Sequence, residues 1–426
     1  MFHAEIEIAS ARHPLAATIR VPGSKSITNR ALLLAAMADG GSLINSALLS
    51  DDTWAMTSAL RTLGIEVAVD EAKRLVAVQG LGGTIPASSA ELHIGGAGTA
   101  IRFLAGFVTL GRGRFRLDGN SRMRQRPIGA LLSALRQLGI VAYAENSDNC
   151  PPVIIDTASS NSSGGEVAID ARLSSQFVSA LLMPAPFWPR GLHATIEGDA
   201  AWPFIDMTLE LMERWGVNVS RRGNRIIVAG GQRYTASNFT VEPDATSASY
   251  FAAAAALIGG TVRLCGLQRA SVQGDLGFLQ IVEQMGASVR WTGEGVEVSG
   301  APPLKGIDVA MNTMPDVVPT LAALAPFATS PTRIRRVGFI RHHESDRLHA
   351  LAAELARLGA SVREFEDDLE IMPSPLHPAV VETYDDHRIA MAFAVVGLKV
   401  PGLRLKNPGC VAKTYPEFFE HLSSLV

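Results

Sequence analysis

Along this chain a helix-like pattern of apolar positions repeatedly ends in glycine and gives way to alternating apolar and polar residues. It reads LRTLGIEV at 60–67, LRQLGIVA at 135–142, MERWGVNV at 212–219, VEQMGASV at 282–289 and LARLGASV at 355–362. The glycines Gly64, Gly139, Gly216, Gly286 and Gly359 lie 75, 77, 70 and 73 residues apart. Apolar residues three and four apart predict an amphipathic helix, the glycine predicts a C-cap at positive φ, and the alternation predicts a strand. A second strand follows a tight turn in several copies, as in RRGNRIIV at 221–228, TGEGVEVSG at 292–300 and EDDLEIMP at 366–373. The same spacing places a sixth helix over 418–425. A chain of 426 residues is too long for one ordinary core. A repeated helix-plus-sheet unit buries its apolar face only against its neighbours. The pattern therefore predicts an α/β protein of six repeats, arranged as two domains of three.

Composition narrows the class of partner. Hydrophobic residues make up 47% and charged residues 19%, and the net charge is −3. That balance gives no general attraction to nucleic acid or to an anionic membrane, so an anion site must be a local basic cluster. Cys150, Cys265 and Cys410 have no metal-ligand spacing and imply no disulfide framework. They read as small hydrophobes in a reducing compartment. The opening MFHAEIEIASARHP has no apolar signal-peptide core, and the apolar stretch at 250–259 is too short to span a bilayer. These features predict a cytoplasmic protein that binds neither nucleic acid nor membrane.

Several motifs could carry chemistry. VPGSKSITNRALLLAAM, from Val21, leads a Pro-Gly turn into Lys25, Ser26 and Arg30 at a helix start, a natural phosphate site. It is not a Walker A loop, since Ser24 precedes the lysine. IGGAGTAIRFLAG, from Ile94, has Gly95, Gly96 and Gly98 where backbone could approach a ligand, with Arg102 following. Arg122, Arg124 and Arg126 form a cluster that needs an anion or carboxylates to neutralise it. Ser174, Ser175 and Gln176 precede an apolar helix and suit either a substrate's hydroxyl and phosphate oxygens or a simple N-cap. In the C-terminal half Asp316, Glu344, Arg347, Arg388 and Lys413 stand at the mouths of apolar helices. A helix start disfavours cations, so their recurrence there points to bound anions. Adjacent His342 and His343 cannot share one helical face, and metal ligation is not expected of them.

In this order, PGSKS, NRALLLAA, AGTAIRFLAG, RPIG, SSQFVSALLM, ESDRLHALAAEL, DHRIAMAFA and AKTYPEFF resemble the signatures of one family, from end to end of the chain. It is the 5-enolpyruvylshikimate-3-phosphate synthase family of enolpyruvyl transferases. The resemblance implies a two-domain inverse α/β barrel with three βαβαββ units per domain. The chain would cross between domains near Val21 and Thr240, giving one domain of residues 22–240 and another of 1–21 with 241–426. The active site would lie in a cleft that closes on ligands.

The implied reaction adds the 5-hydroxyl of shikimate 3-phosphate to C2 of phosphoenolpyruvate and then expels phosphate, in a monomeric enzyme without metal or organic cofactor. By resemblance Asp316 is the base for the hydroxyl, Glu344 exchanges the proton at C3, and Lys25 touches both substrates. Gly98, Arg126, Arg347, Arg388 and Lys413 match phosphoenolpyruvate contacts. Lys25, Ser26, Arg30, Ser174, Ser175, Gln176 and Asp316 match shikimate 3-phosphate contacts, and His343 stands where a lysine commonly binds the acceptor phosphate. Asp52, Arg102, Glu242, Asp244 and His387 match supporting positions.

Five residues depart from the common bacterial pattern: Gly96 for Asn, Ala201 for Ser, Phe204 for Tyr, Phe339 for Asn and His343 for Lys. They concentrate on the acceptor side. The rival readings are an enolpyruvyl transferase with another acceptor and a non-catalytic phosphate binder on the same fold. The 112–126 stretch holds no cysteine, unlike the reactive loop usual in the nucleotide-sugar enzymes.

Overall fold

The structure, a computed structural model, describes residues 4–160 and 163–426. Each of the five predicted glycines caps a helix: Asp51–Thr62, Gly129–Gln137, Trp202–Arg214, Gly277–Gln284 and Arg347–Arg357. The φ angles of Gly64, Gly139, Gly216, Gly286 and Gly359 are 89°, 80°, 91°, 115° and 98°. The same pair of bonds closes every end. Gly64 N–H donates to Arg61 O at 3.0 Å and Ile65 N–H to Leu60 O at 3.0 Å, the Schellman arrangement. The last of the series is Gly359 N–H to Ala356 O and Ala360 N–H to Leu355 O, both 2.9 Å.

At Gly286 an added Cβ would meet nothing within 4 Å, so strain alone opposes a side chain there. Gly286→Ala is therefore expected to cost about 1–2 kcal/mol in urea unfolding. A neutral result would mean that the turn relaxes out of the left-handed region.

The chain divides into two compact units, Gly23–Val241 and Met1–Pro22 with Glu242–Val426. The first holds three four-stranded sheets of one design. Ser89–His93 runs parallel to Arg114–Asp118, which pairs antiparallel with Val153–Asp156, and that strand closes a hairpin with Val141–Ala144. Gly165–Asp170, Leu192–Glu197, Arg225–Val228 and Val219–Arg222 repeat the order. In the remaining sheet the first strand, Asn238–Thr240, comes from the far end of the unit's sequence and pairs parallel with Asp39–Asn45.

The second unit shows the mirror of this exchange. Leu15–Ile19, far upstream in sequence, pairs parallel with Gly260–Cys265. Asp308–Ala310, Thr332–Arg335, Leu369–Ile371 and Val362–Glu364 make a regular copy. The sixth sheet has three strands, with N-terminal Glu5–Glu7 pairing antiparallel with Arg404–Lys406 in place of a hairpin partner.

Two kinds of helix alternate. Gly98–Phe107, Val318–Leu324 and His387–Gly397 are buried on every side, and Lys25–Met37, Gln176–Leu182 and Ala245–Ile258 are each buried at all but one residue. Beyond the polar residues of their first turns their sequences are largely apolar, as a central helix requires. The glycine-capped helices are amphipathic and cover them. No helix among the described residues is long and apolar enough to cross a membrane.

This division places the motifs. Lys25, Gly98 and Gln176 open the three inner helices of the first unit, and Asp244, Asp316 and His387 stand at or just before those of the second.

Candidate active site

In the unit spanning Gly23–Val241, Lys25 is the first residue of its helix and is buried, with Nζ 3.3 Å from Asp52 Oδ2. One turn on, Arg30 is only 1% exposed. Its guanidinium donates to Thr208 Oγ1 at 2.7 Å, Ser26 O at 2.9 Å and Phe204 O at 2.9 Å, and lies over the Phe103 ring. Every one of these partners is uncharged. Burial without a compensating carboxylate pushes the Arg30 guanidinium down to about 9. A cation held in this way favours any anion that reaches it.

The glycine-rich stretch and the Ser-Ser-Gln motif meet. Arg102 Nη1 donates to Gly98 O at 3.1 Å and to Gln176 Oε1 at 3.0 Å, and Gln176 Nε2 donates to Thr99 Oγ1 at 3.2 Å. Ser174 Oγ accepts from the Gln176 N–H at 3.2 Å, but the N-cap is Ser175, whose side chain makes no capping bond, so the motif is not a simple side-chain cap. The arginine cluster separates. Arg124, half-exposed, is neutralised by Asp118 at 2.7 Å, and Arg122 contacts Gln125. Only Arg126 is buried, and it packs against Gly98.

A Cβ on Gly98 would lie 2.5 Å from Arg126 Nη1 and 2.8 Å from Arg102 Nη1. Gly98→Ala must therefore displace guanidinium groups while leaving a helix start that alanine tolerates. If the implied reaction holds, the expected result is a KM for phosphoenolpyruvate raised about tenfold or more, with the thermal midpoint little changed. An unaltered KM would place Arg126 away from the donor substrate.

The other unit holds an ionic cluster around Arg347, which is 1% exposed. Nε donates to Asp386 Oδ2 at 2.9 Å, Nη1 to Asp316 Oδ1 at 3.0 Å and Nη2 to Glu344 Oε2 at 2.8 Å. His343 Nδ1 lies 3.1 Å from Nη1. Asp316 Oδ2 accepts from Arg388 Nη2 at 2.7 Å, so two arginines hold this one carboxylate. Burial opposes the charge on Arg347, but Asp386, Glu344 and Asp316 outweigh it and hold the guanidinium above its ordinary range. The same balance, led by Asp316 on the attractive side, raises Arg388.

Geometry thus brings Asp316, Glu344, His343, Arg347 and Arg388 into one network. Lys413 stands ahead of the helix Phe418–Ser423, at the mouth the sequence indicates, and not within its first turn. It ends the 3-10 turn Pro408–Lys413. Of the paired histidines, His342 is exposed. Phe339 packs edge-on against the His343 ring at 5.8 Å, and Phe204 serves Arg30 through its backbone carbonyl. Ala201 caps the helix Trp202–Arg214.

Sequence reasoning missed Asp386. It is fully buried, accepts from Arg347 and from Ser345 Oγ at 2.9 Å, and caps the helix His387–Gly397 through the Arg388 N–H. Its signal was available as the acidic residue directly before an apolar helix.

A family model described as EPSP synthase (3-phosphoshikimate 1-carboxyvinyltransferase) matches residues 9–422. The chain belongs to this family. A 3-phosphoshikimate 1-carboxyvinyltransferase from Nostoc punctiforme is 46% identical over 416 residues, 97% of each chain. One from Yersinia pestis is 44% identical over 413 residues, 96% of each. Among solved structures, an EPSP synthase from Acinetobacter baumannii superimposes with a TM-score of 0.82 at 26% identity, covering 99% of this chain and 98% of that one. The fold is accordingly the inverse α/β barrel type of the family, built from six βαβαββ-like repeats.

Proposed function

We propose that the chain transfers the enolpyruvyl group of phosphoenolpyruvate to the 5-hydroxyl of shikimate 3-phosphate, giving 5-enolpyruvylshikimate 3-phosphate and phosphate. Family membership and relatives named for this activity support the reaction. The observation that carries the residue assignment is the network in which Asp316 spans Arg347 and Arg388 while Glu344 shares Arg347.

The chemistry calls for acid–base groups beside anion-binding groups. Asp316 takes the proton from the 5-hydroxyl as its oxygen bonds to C2 of phosphoenolpyruvate, and C3 gains a proton through Glu344. In the tetrahedral intermediate so formed, the C2–O bond to phosphate then breaks and C3 loses a proton, restoring the methylene. Lys25 serves the departing phosphate. Arg126, Arg347, Arg388 and Lys413, with the open backbone at Gly98, bind phosphoenolpyruvate through the bidentate fork and charge that suit carboxylate and phosphate. Lys25, Ser26, Arg30, Ser174, Ser175, Gln176 and His343 bind shikimate 3-phosphate. No step needs a metal or an organic cofactor. On this reading each of the two domains, residues 22–240 and residues 1–21 with 241–426, supplies part of the machinery, and the enzyme works as a cytoplasmic monomer.

The test is phosphate release with both substrates, against controls lacking each one. Release that needs both supports the assignment. Folded protein that releases none would move the acceptor to another hydroxyl compound.

A further inference from the structure

The glycine repeat carries one more regularity. Counting back 12, 13, 12, 11 and 12 residues from the capping glycines reaches Asp52, Arg126, Phe204, Asp275 and Arg347, each within three residues of the start of its outer helix. Asp52 pairs with Lys25, Arg126 packs on Gly98, Phe204 holds Arg30, and Arg347 holds Asp316. Asp275 differs from the other four: it is not part of the reaction scheme, and the hydrogen bond it makes is to Thr246, outside that scheme.

Asp275 sits in the 3-10 turn Gly274–Leu276 and is 4% exposed. Thr246 Oγ1, in the first turn of the inner helix Ala245–Ile258, donates to its Oδ2. Its Oδ1 is buried with no hydrogen-bond partner among the described residues. The turn is fixed on both sides. Gln273 accepts from the Ala245 N–H at 3.0 Å, donates to Pro243 O at 2.8 Å and reaches Glu242 Oε2 at 3.5 Å. A Cβ on Gly277 would touch Met314 Cε at 2.7 Å, two residues before Asp316. The charged groups whose fields reach Asp275 are Asp316, Arg388 and Asp244 from the neighbouring elements, with Glu242 beyond Gln273.

We propose that Asp275 is a positioning residue for the transfer, a buried carboxyl that acts through the Asp316–Arg388 pair and governs how strongly Asp316 draws the acceptor's proton.

A carboxyl with one hydroxyl donor and one unmatched buried oxygen is poorly suited to carry charge, and that oxygen can hold a proton. Burial, followed by the charge of Asp316, pushes the Asp275 carboxyl up to about 7, against the opposing Thr246 bond and Arg388. When Asp275 ionises, a second negative charge competes for Arg388 and makes Asp316 the stronger base.

This inference rests on Asp316 being the base, and the test separates the two claims. The wild-type chain and Asp275→Asn are compared in phosphate release from pH 5.5 to 9. The amide keeps the shape and an acceptor for Thr246 but cannot ionise. Wild-type kcat should climb through an ionisation near neutrality that the variant lacks, so that their ratio changes at least about threefold across the range. An identical profile in the folded variant overturns the proposal.

Thermal midpoints of the same two proteins provide a readout independent of activity. A carboxyl raised on folding contributes stability below its unfolded value, and that contribution is lost as pH rises through about 7. The variant should therefore gain on the wild type between pH 5 and 8, and a constant difference also counts against the proposal. If the midpoints behave so but Asp316→Ala stays active, the base assignment fails while the coupling of Asp275 to its surroundings stands.

Discussion

Arg347→Met will lose about 3–5 kcal/mol of folding stability, and turnover with it, because it leaves three carboxylates facing one another without their shared cation. The arginine is 1% exposed and binds Asp316, Glu344 and Asp386 through its three nitrogens. Methionine fills much of the volume, so packing is a minor part of the loss. The charge is decisive: Asp386 is fully buried and Glu344 is 13% exposed, so water reaches them poorly. Urea unfolding monitored by circular dichroism measures the change. Acid should partly rescue the variant, since protonating the stranded carboxylates removes their repulsion. A variant as stable as the parent across pH would show that the network is not the support described above.

Asp316→Ala will lower kcat at least about 100-fold while the chain stays folded. Here the geometry predicts the opposite pattern from Arg347. Asp316 is one-fifth exposed, and each of its arginines has other anionic neighbours, Asp386 and Glu344 for Arg347, and Asp244 for Arg388. Removing the carboxylate thus strands no buried cation. Phosphate release at saturating substrates, with a melting curve on the same sample, reads both quantities. Turnover near the parent's would take Asp316 out of the mechanism and pass the base to Glu344 or another group.

The two variants differ because one group is the hub of the network and the other lies at its edge. That distinction could not be read from residue types. Both residues stand near helix starts in the sequence, and both match the family's signatures. The number of partners each one holds depends on which helix starts converge.

The repeat was legible because it is local. A helix ending in glycine and followed by a strand is dictated within about ten residues by apolar spacing and by the one residue that tolerates positive φ. The Schellman bonds at Gly64, Gly139, Gly216, Gly286 and Gly359 are the physical form of that pattern. The buried character of the inner helices was equally plain from sequences such as ATSASYFAAAAALI, which offer water no polar face. Most site residues were legible for a related reason: cations at helix starts run against the helix dipole and call for an anion.

What stayed hidden is non-local. The separation of Arg126, buried on Gly98, from Arg124, spent on Asp118, depends on the path of one short turn. Asp386, which the sequence reading did not single out, is a partner of Arg347 from 39 positions away in sequence. Asp275 drew no notice in the sequence, and only its burial, with the charges of Asp316 and Arg388 near, gives it a titration of interest. The strands Leu15–Ile19 and Asn238–Thr240 each pair, within their own unit, with a strand more than 190 residues away, and no sequence window spans that distance. By itself the sequence determined the repeats, their caps, the apolar inner helices and the groups available for chemistry, because each follows from short-range sterics or from the free energy of one exposed face. The tertiary structure decided which charges share a partner and which are buried alone, because those energies depend on distance and desolvation, which exist only once the helix starts have been brought together.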